Sequence, residues 1–190
     1  MATKTFSLPF LLIVCIFSQL SSTFGDPSVK DLGQHAGYFS LPRSKSARLF
    51  HFFFQSRNNS SDPVVIWLSG GPGCSSSNQR YISYLKISNL IYVDQPIRTG
   101  FSYANDSTDL RHDEDSVSND LYDFLQAFFK EHPNLAKDDF YITGESYAGH
   151  YIPALASRVH NGNEKKEGIV INLKVTDISL VTATATWSAG

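Results

Sequence analysis

The sequence predicts an α/β protein in which a mostly parallel sheet is flanked by helices, and three observations carry that prediction. Pro63-Val64-Val65-Ile66-Trp67-Leu68 and Asn89-Leu90-Ile91-Tyr92-Val93-Asp94-Gln95-Pro96 hold continuous apolar runs, the pattern of strands buried on both faces. From Asp113 to Glu131 the apolar residues Val117, Leu121, Phe124, Leu125, Phe128 and Phe129 recur at gaps of three and four, which marks an amphipathic helix. A further strand over Asp139 to Gly144 leads at once into a helical pattern from Tyr147 to Val159. Strands alternating with helices in this way build a parallel sheet with crossover connections.

Taken in order, the chain opens with Lys4, an apolar stretch from Leu8 to Phe17 and the small-residue exit Thr23-Phe24-Gly25. These predict a secretory signal peptide over residues 1–25, too short in its apolar run to span a bilayer. About 165 residues follow, enough for one domain with a core of its own. Gly37 to Leu41 and Arg48 to Phe54 predict an opening antiparallel hairpin, and the aromatic run in its second strand is expected to pack between sheet and helices. Asn58 and Asn59 open overlapping N-x-Ser sequons and Asn105 a third, so these are candidate glycan sites on surface loops of a secreted chain. Asp113, Glu114 and Asp115 stand where the helix dipole favours anions, and Pro133 follows the helix; the acidic cluster is expected to cap rather than to do chemistry. Pro153 should kink or divide the last helix.

A formal net charge of −2 gives no basis for a nucleic-acid or polybasic membrane partner, and no metal-ligand cluster or cofactor motif stands out. Of two cysteines, Cys15 leaves with the signal. Cys74 is then unmatched in an oxidising compartment, and pairs between chains, stays buried, or has lost its partner.

The chemistry concentrates at Gly144-Glu145-Ser146-Tyr147-Ala148-Gly149. A serine at a strand-to-helix corner between small residues is the nucleophile elbow of an α/β-hydrolase: the turn strains the serine backbone and lifts its hydroxyl above the sheet. Ala148 departs from the usual glycine but stays small. The competing reading of Ser146 is a helix N-cap. Upstream, Ser69-Gly70-Gly71-Pro72-Gly73-Cys74 follows a central strand, and a glycine pair there lets backbone N–H groups face a ligand without side-chain obstruction. By the logic of the fold, the amides of Gly71 and Tyr147 form the oxyanion hole.

These segments together resemble the plant serine carboxypeptidases, secreted or vacuolar peptidases of the α/β-hydrolase fold that act at acid pH. The residues carrying the resemblance are Trp67 to Ser76, Val93-Asp94-Gln95-Pro96 with Thr99-Gly100-Phe101-Ser102-Tyr103, and Gly144 to Pro153. It covers most of residues 30 to 174 and implies the amino-terminal half of a fold more than twice as long. Residues 26–174 then form a partial α/β-hydrolase domain, and residues 175–190 a divergent tail that reads as a shifted or unspliced frame. The resemblance implies that Ser146 attacks the carbonyl of a peptide or protein C-terminus. Ser69, Gly70 and Glu145 would hold the terminal carboxylate. Glu145 can do so beside an anion only in its protonated form. The usual partner of Cys74 would lie in the missing half, and no cofactor is implied.

Three departures accompany the resemblance. The segment from Asn78 to Leu85 is short, Arg98 stands where the family usually has glycine, and the tail from Val175 matches nothing in it. More important is chain order, because these triads run Ser, then Asp or Glu, then His. After Ser146 the histidines are His150 and His160, and no histidine follows Asp177. A serine without its base is a poor nucleophile. A secreted serine carboxypeptidase, impaired in turnover, is therefore the leading expectation. An inactive family remnant and a related acyltransferase using glucose esters are the alternatives.

Overall fold

The computed structural model describes residues 34–75 and 87–174. The expected signal peptide, the stretch from Asn78 to Leu85 and the tail from Val175 lie outside the described residues. Five strands, β1 (Gln34–Ser40), β2 (Arg48–Phe54), β3 (Val64–Leu68), β4 (Asn89–Val93) and β5 (Phe140–Gly144), form one sheet in the order β1-β2-β4-β3-β5. Two long helices, α1 (Glu114–Glu131) and α2 (Ala148–Lys165), follow the fourth and fifth strands.

The opening hairpin forms as expected: β1 and β2 pair antiparallel, with Gly37 opposite His51. β2 runs antiparallel to β4, while β4, β3 and β5 are mutually parallel. Only β2 therefore points against the other four. Every residue of β3 and of β4 is buried, which explains their unbroken apolar runs.

One face of the sheet supplies Leu49, Phe53, Val64, Ile66, Ile91 and Ile142 to a core completed by the apolar stripes of α1 and α2. The opposite face carries Val65, Trp67, Leu90 and Tyr92, with Phe52, Phe54 and Tyr141 against them. The aromatic run of β2 is thus split by the strand's two-residue period. Phe53 goes under the helices, whereas Phe52 and Phe54 face the other way and do not pack between sheet and helices as the sequence suggested.

Asp113 caps α1 by accepting from Ser116 N at 2.7 Å, as its place before the apolar stripe predicts. The two helices approach closely because Gly162 leaves room for the Tyr122 phenol; a Cβ there would lie 2.4 Å from its hydroxyl. Pro153 does not divide α2. The helix runs unbroken for 18 residues with the proline ring exposed, so the proline removes one N–H from the ladder without ending it.

A polar residue also sits in the apolar layer. His51 stacks on Phe39 at 4.9 Å and meets Phe124 edge-on at 5.3 Å. Burial, reinforced by the charge of His132, lowers its pKa to about 4. Because the folded state disfavours the charged ring, the stability it contributes is fully present above pH 6.5 and is lost as pH falls through about 4. The contribution amounts to about 3 kcal/mol. Urea unfolding at pH 7, 5.5 and 4 should show this loss, and His51→Phe should flatten it. An unchanged pH slope in His51→Phe would assign the loss to other groups.

Candidate active site

The site is assembled by register. In the parallel β3–β5 ladder Leu68 lies opposite Gly144, so the segments leaving the two strands, Ser69-Gly70-Gly71 and Glu145-Ser146-Tyr147, emerge side by side at the carboxyl end of the sheet. The amide of Glu145 still donates to the Leu68 carbonyl at 3.2 Å, extending the ladder one residue into the corner. β4 ends at the same edge, and Gln95 Nε2 reaches the carbonyl of Ser69 at 3.4 Å.

Ser146 occupies the left-handed region with φ 58° and is exposed, the backbone strain expected of an elbow and not of an extended N-cap. α2 starts two residues later, with Ala148 N donating to Glu145 O and Gly149 N to Ser146 O, both at 3.0 Å. The small residues around Ser146 have identifiable partners. A Cβ on Gly144 would lie 2.3 Å from Leu68 O and 2.7 Å from the Ala148 Cβ, which accounts for both the glycine and the alanine.

Gly70 is the contact between the two loops. A Cβ there would lie 2.4 Å from the Tyr147 nitrogen and 2.9 Å from the Ser146 Cβ. The next residue, Gly71, has φ 115°, a conformation that favours glycine. Neither Gly71 N nor Tyr147 N donates to a backbone carbonyl among the described residues.

Ser69 and Gly70 are buried beneath the crest of the loop, while Gly71 to Cys74 are exposed. The exposure of Cys74 removes burial as an account of that thiol. Glu145 is half-buried beside the serine. Asp94, which is buried, braces the loop from below: it accepts from Ser75 Oγ at 2.5 Å and from Phe101 N at 2.9 Å. Gly100 lies so close to Asp94 that a Cβ would fall 2.1 Å from the carboxylate. Arg98, in this same turn, has φ 73° but an exposed side chain. The departure from glycine therefore costs backbone strain, about 1 kcal/mol, without forcing a charge into the turn.

Two histidines follow Ser146 on α2. His150 stacks on Tyr147 at 4.6 Å, and the exposed His160 lies 3.4 Å from Glu164 one turn on. Sequence reasoning missed one contact at the site: the Tyr147 hydroxyl donates to Glu114 Oε1 at 2.7 Å, linking the elbow to the first turn of α1. That bond holds the Glu114 carboxyl below its usual range and raises the Tyr147 phenol. Asparagines 58, 59 and 105 are all exposed. Among the described residues there is no cluster of three metal-ligating side chains, and no helix long and apolar enough to cross a membrane.

A sheet with helices on its face and a strained serine between a strand and a helix, beside a glycine loop, defines an α/β-hydrolase. The chain belongs to the serine carboxypeptidase family, whose model matches residues 25–80 and 77–179. It is 67% identical over 168 residues to serine carboxypeptidase-like 48 of Arabidopsis thaliana, covering 79% of this chain and 33% of that protein. It is 60% identical over 164 residues to serine carboxypeptidase 3 of Hordeum vulgare, covering 77% and 32%. Among solved structures it is similar to Kex1(delta)p, a prohormone-processing carboxypeptidase from Saccharomyces cerevisiae. That match has a TM-score of 0.64 and 28% identity, and covers 79% of this chain and 39% of the other. The chain spans about a third of the length of the plant relatives it matches.

Proposed function

We propose that this chain carries the nucleophile and the oxyanion donors of a secreted serine carboxypeptidase, which releases C-terminal residues from peptides through an acyl-enzyme on Ser146. The observation that carries the proposal is the positive φ of Ser146 at a strand-to-helix corner against which Gly70 is packed. In the reaction, Ser146 Oγ bonds to the carbonyl carbon of the last peptide bond as its proton passes to a base. Gly71 N–H and Tyr147 N–H stabilise the oxyanion. The base returns the proton to the leaving amine as the C–N bond breaks, and water then cleaves the ester. Ser69, Gly70 and Glu145 are assigned to the substrate's terminal carboxylate. The signal segment supports secretion, with the vacuole as the alternative compartment. Asn58, Asn59 and Asn105 are assigned as glycan sites. Deglycosylation of the secreted protein should lower its mass, and an unchanged mass would remove that assignment.

A second reading rests on one specific observation: within these 190 residues no Asp-then-His pair follows Ser146. Without a triad partner, the remaining site in well-studied proteases gives only roughly 10³–10⁴-fold catalysis over water. These residues taken by themselves would then be non-catalytic. Treating residues 26–190 with a fluorophosphonate at mildly acid pH, followed by peptide mapping, decides between the readings. Stoichiometric labelling at Ser146, absent in Ser146→Ala, supports the acyl-enzyme. No labelling of a cooperatively folded chain leaves the non-catalytic reading. Labelling accompanied by turnover of glucose esters but not peptides would assign acyl transfer instead.

A further inference from the structure

We infer that Glu114 is a positioning residue for the oxyanion donor, holding the elbow in its active shape from the neighbouring helix. This rests on the proposed role of the Tyr147 amide. Tyr147 faces two ways: its backbone nitrogen lies against Gly70, 2.4 Å from where a Cβ there would fall, and its phenol reaches away to α1. Tyr147 lies before the first residue of α2 and has no side-chain cap of its own, so its φ and ψ are not fixed by the helix ladder alone. Its ring is instead held on three sides. His150 stacks on it at 4.6 Å, Tyr151 meets it edge-on at 5.1 Å, and the Glu114 carboxylate accepts its hydroxyl at 2.7 Å.

The first two of these contacts come from α2 itself and move with the elbow. Glu114 alone among them belongs to another element, and it ties the elbow to the frame of the molecule. α1 is well anchored for that purpose. Its face is packed in the main core, and Arg111 holds its Asp120 through two hydrogen bonds of 2.6 and 2.9 Å. Glu114 is also suited to keep its charge. It lies in the first turn of α1, where the dipole favours an anion, next to the N-cap Asp113. The Tyr147 bond lowers its proton affinity further, so the strap stays charged in a mildly acid compartment. A donor that must sit within a fraction of an ångström of the developing oxyanion gains from such a brace.

The test compares the unmodified chain with Glu114→Ala, Glu114→Gln, Tyr147→Phe and the Glu114→Ala/Tyr147→Phe double variant. Two readouts are used: the rate of fluorophosphonate labelling at Ser146, and the titration of the Tyr147 ring followed by ¹³Cζ NMR. Glu114→Ala and Tyr147→Phe should each slow labelling roughly tenfold, with no further loss in the double variant, because both break one bond. Glu114→Gln still offers an acceptor and should keep most of the rate. The Tyr147 phenol should titrate above an ordinary tyrosine in the unmodified chain and fall back toward it in Glu114→Ala. Wild-type labelling in Glu114→Ala, or additive losses in the double variant, would overturn the inference. If the unmodified chain is not labelled at all, the acyl-enzyme reading fails and the positioning role falls with it, and the ring titration then reports only whether Glu114 holds the Tyr147 hydroxyl.

Discussion

Gly144→Ala should cost about 3 kcal/mol or more, enough to leave much of the chain unfolded at 37 °C, although it adds a single methyl group. The new carbon would lie 2.3 Å from Leu68 O, inside the sheet, and 2.7 Å from the Ala148 Cβ, at the start of α2. Neither neighbour is the free end of a flexible side chain. To relieve the overlap, β5 would have to move away from β3 or α2 away from the sheet, and either movement displaces Ser146. Gly37→Ala provides the control. It adds the same methyl group to β1, where the nearest atom would be His51 Cε1 at 3.5 Å, an ordinary contact. Its stability should change by less than about 0.5 kcal/mol. Denaturant midpoints measure both variants. Equal behaviour of the two would show that the close approach at Gly144 is not what fixes the elbow.

Arg111→Ala is expected to destabilise the chain by about 3–5 kcal/mol at pH 7, because it leaves a buried carboxylate without its counter-charge. Asp120 has a side chain only 5% exposed and is held by Arg111 Nε and Nη2. Burial already raises its pKa, with the two bonds to Arg111 opposing that rise. Without Arg111 the pKa goes higher still, so the folded form binds a proton that the unfolded form releases. Such a group contributes stability below the unfolded value of 3.8, and that contribution is lost as pH rises through the folded value. The deficit of Arg111→Ala should accordingly be large at pH 7 and small at pH 4. Replacing both residues by leucine should recover much of the loss. The same deficit at both pH values would mean that the packing of the arginine stem, not its charge, is what matters.

Arg111 and Asp120 belong to a polar seam along α1 that local pattern did not reveal. Arg43 reaches Asp123 at 3.0 Å from the turn between β1 and β2. Arg158 of α2 bonds Asn119 at 2.7 Å and lies 3.9 Å over the Tyr122 ring. Each partner looks, in sequence, like an ordinary surface residue of an amphipathic helix. Only the packing of α1 against α2 and the hairpin brings these partners together.

Much of the fold was legible because the signals are local. The runs of β3 and β4, buried throughout, read as central strands, and the three-and-four spacing of α1 named all its buried apolar residues except Tyr122. The elbow was also legible. A strained corner demands small neighbours, and Gly144 and Ala148 meet that demand whatever the rest of the chain does. What the sequence left undecided depends on the relation between distant segments. The two-residue period of β2 split an aromatic run that looked uniform, sending Phe53 to one face of the sheet and Phe52 to the other. The acidic start of α1 was read as capping, which holds for Asp113. Glu114 found a phenol 33 residues away because the parallel sheet sets α1 and α2 side by side. Strand register, Leu68 against Gly144, decided that the glycine loop would stand beside the serine. The sequence alone determined which residues strain, bury or turn, because those are properties of a residue and its near neighbours. The tertiary structure alone decided which of them meet, because that depends on register and packing across the whole sheet.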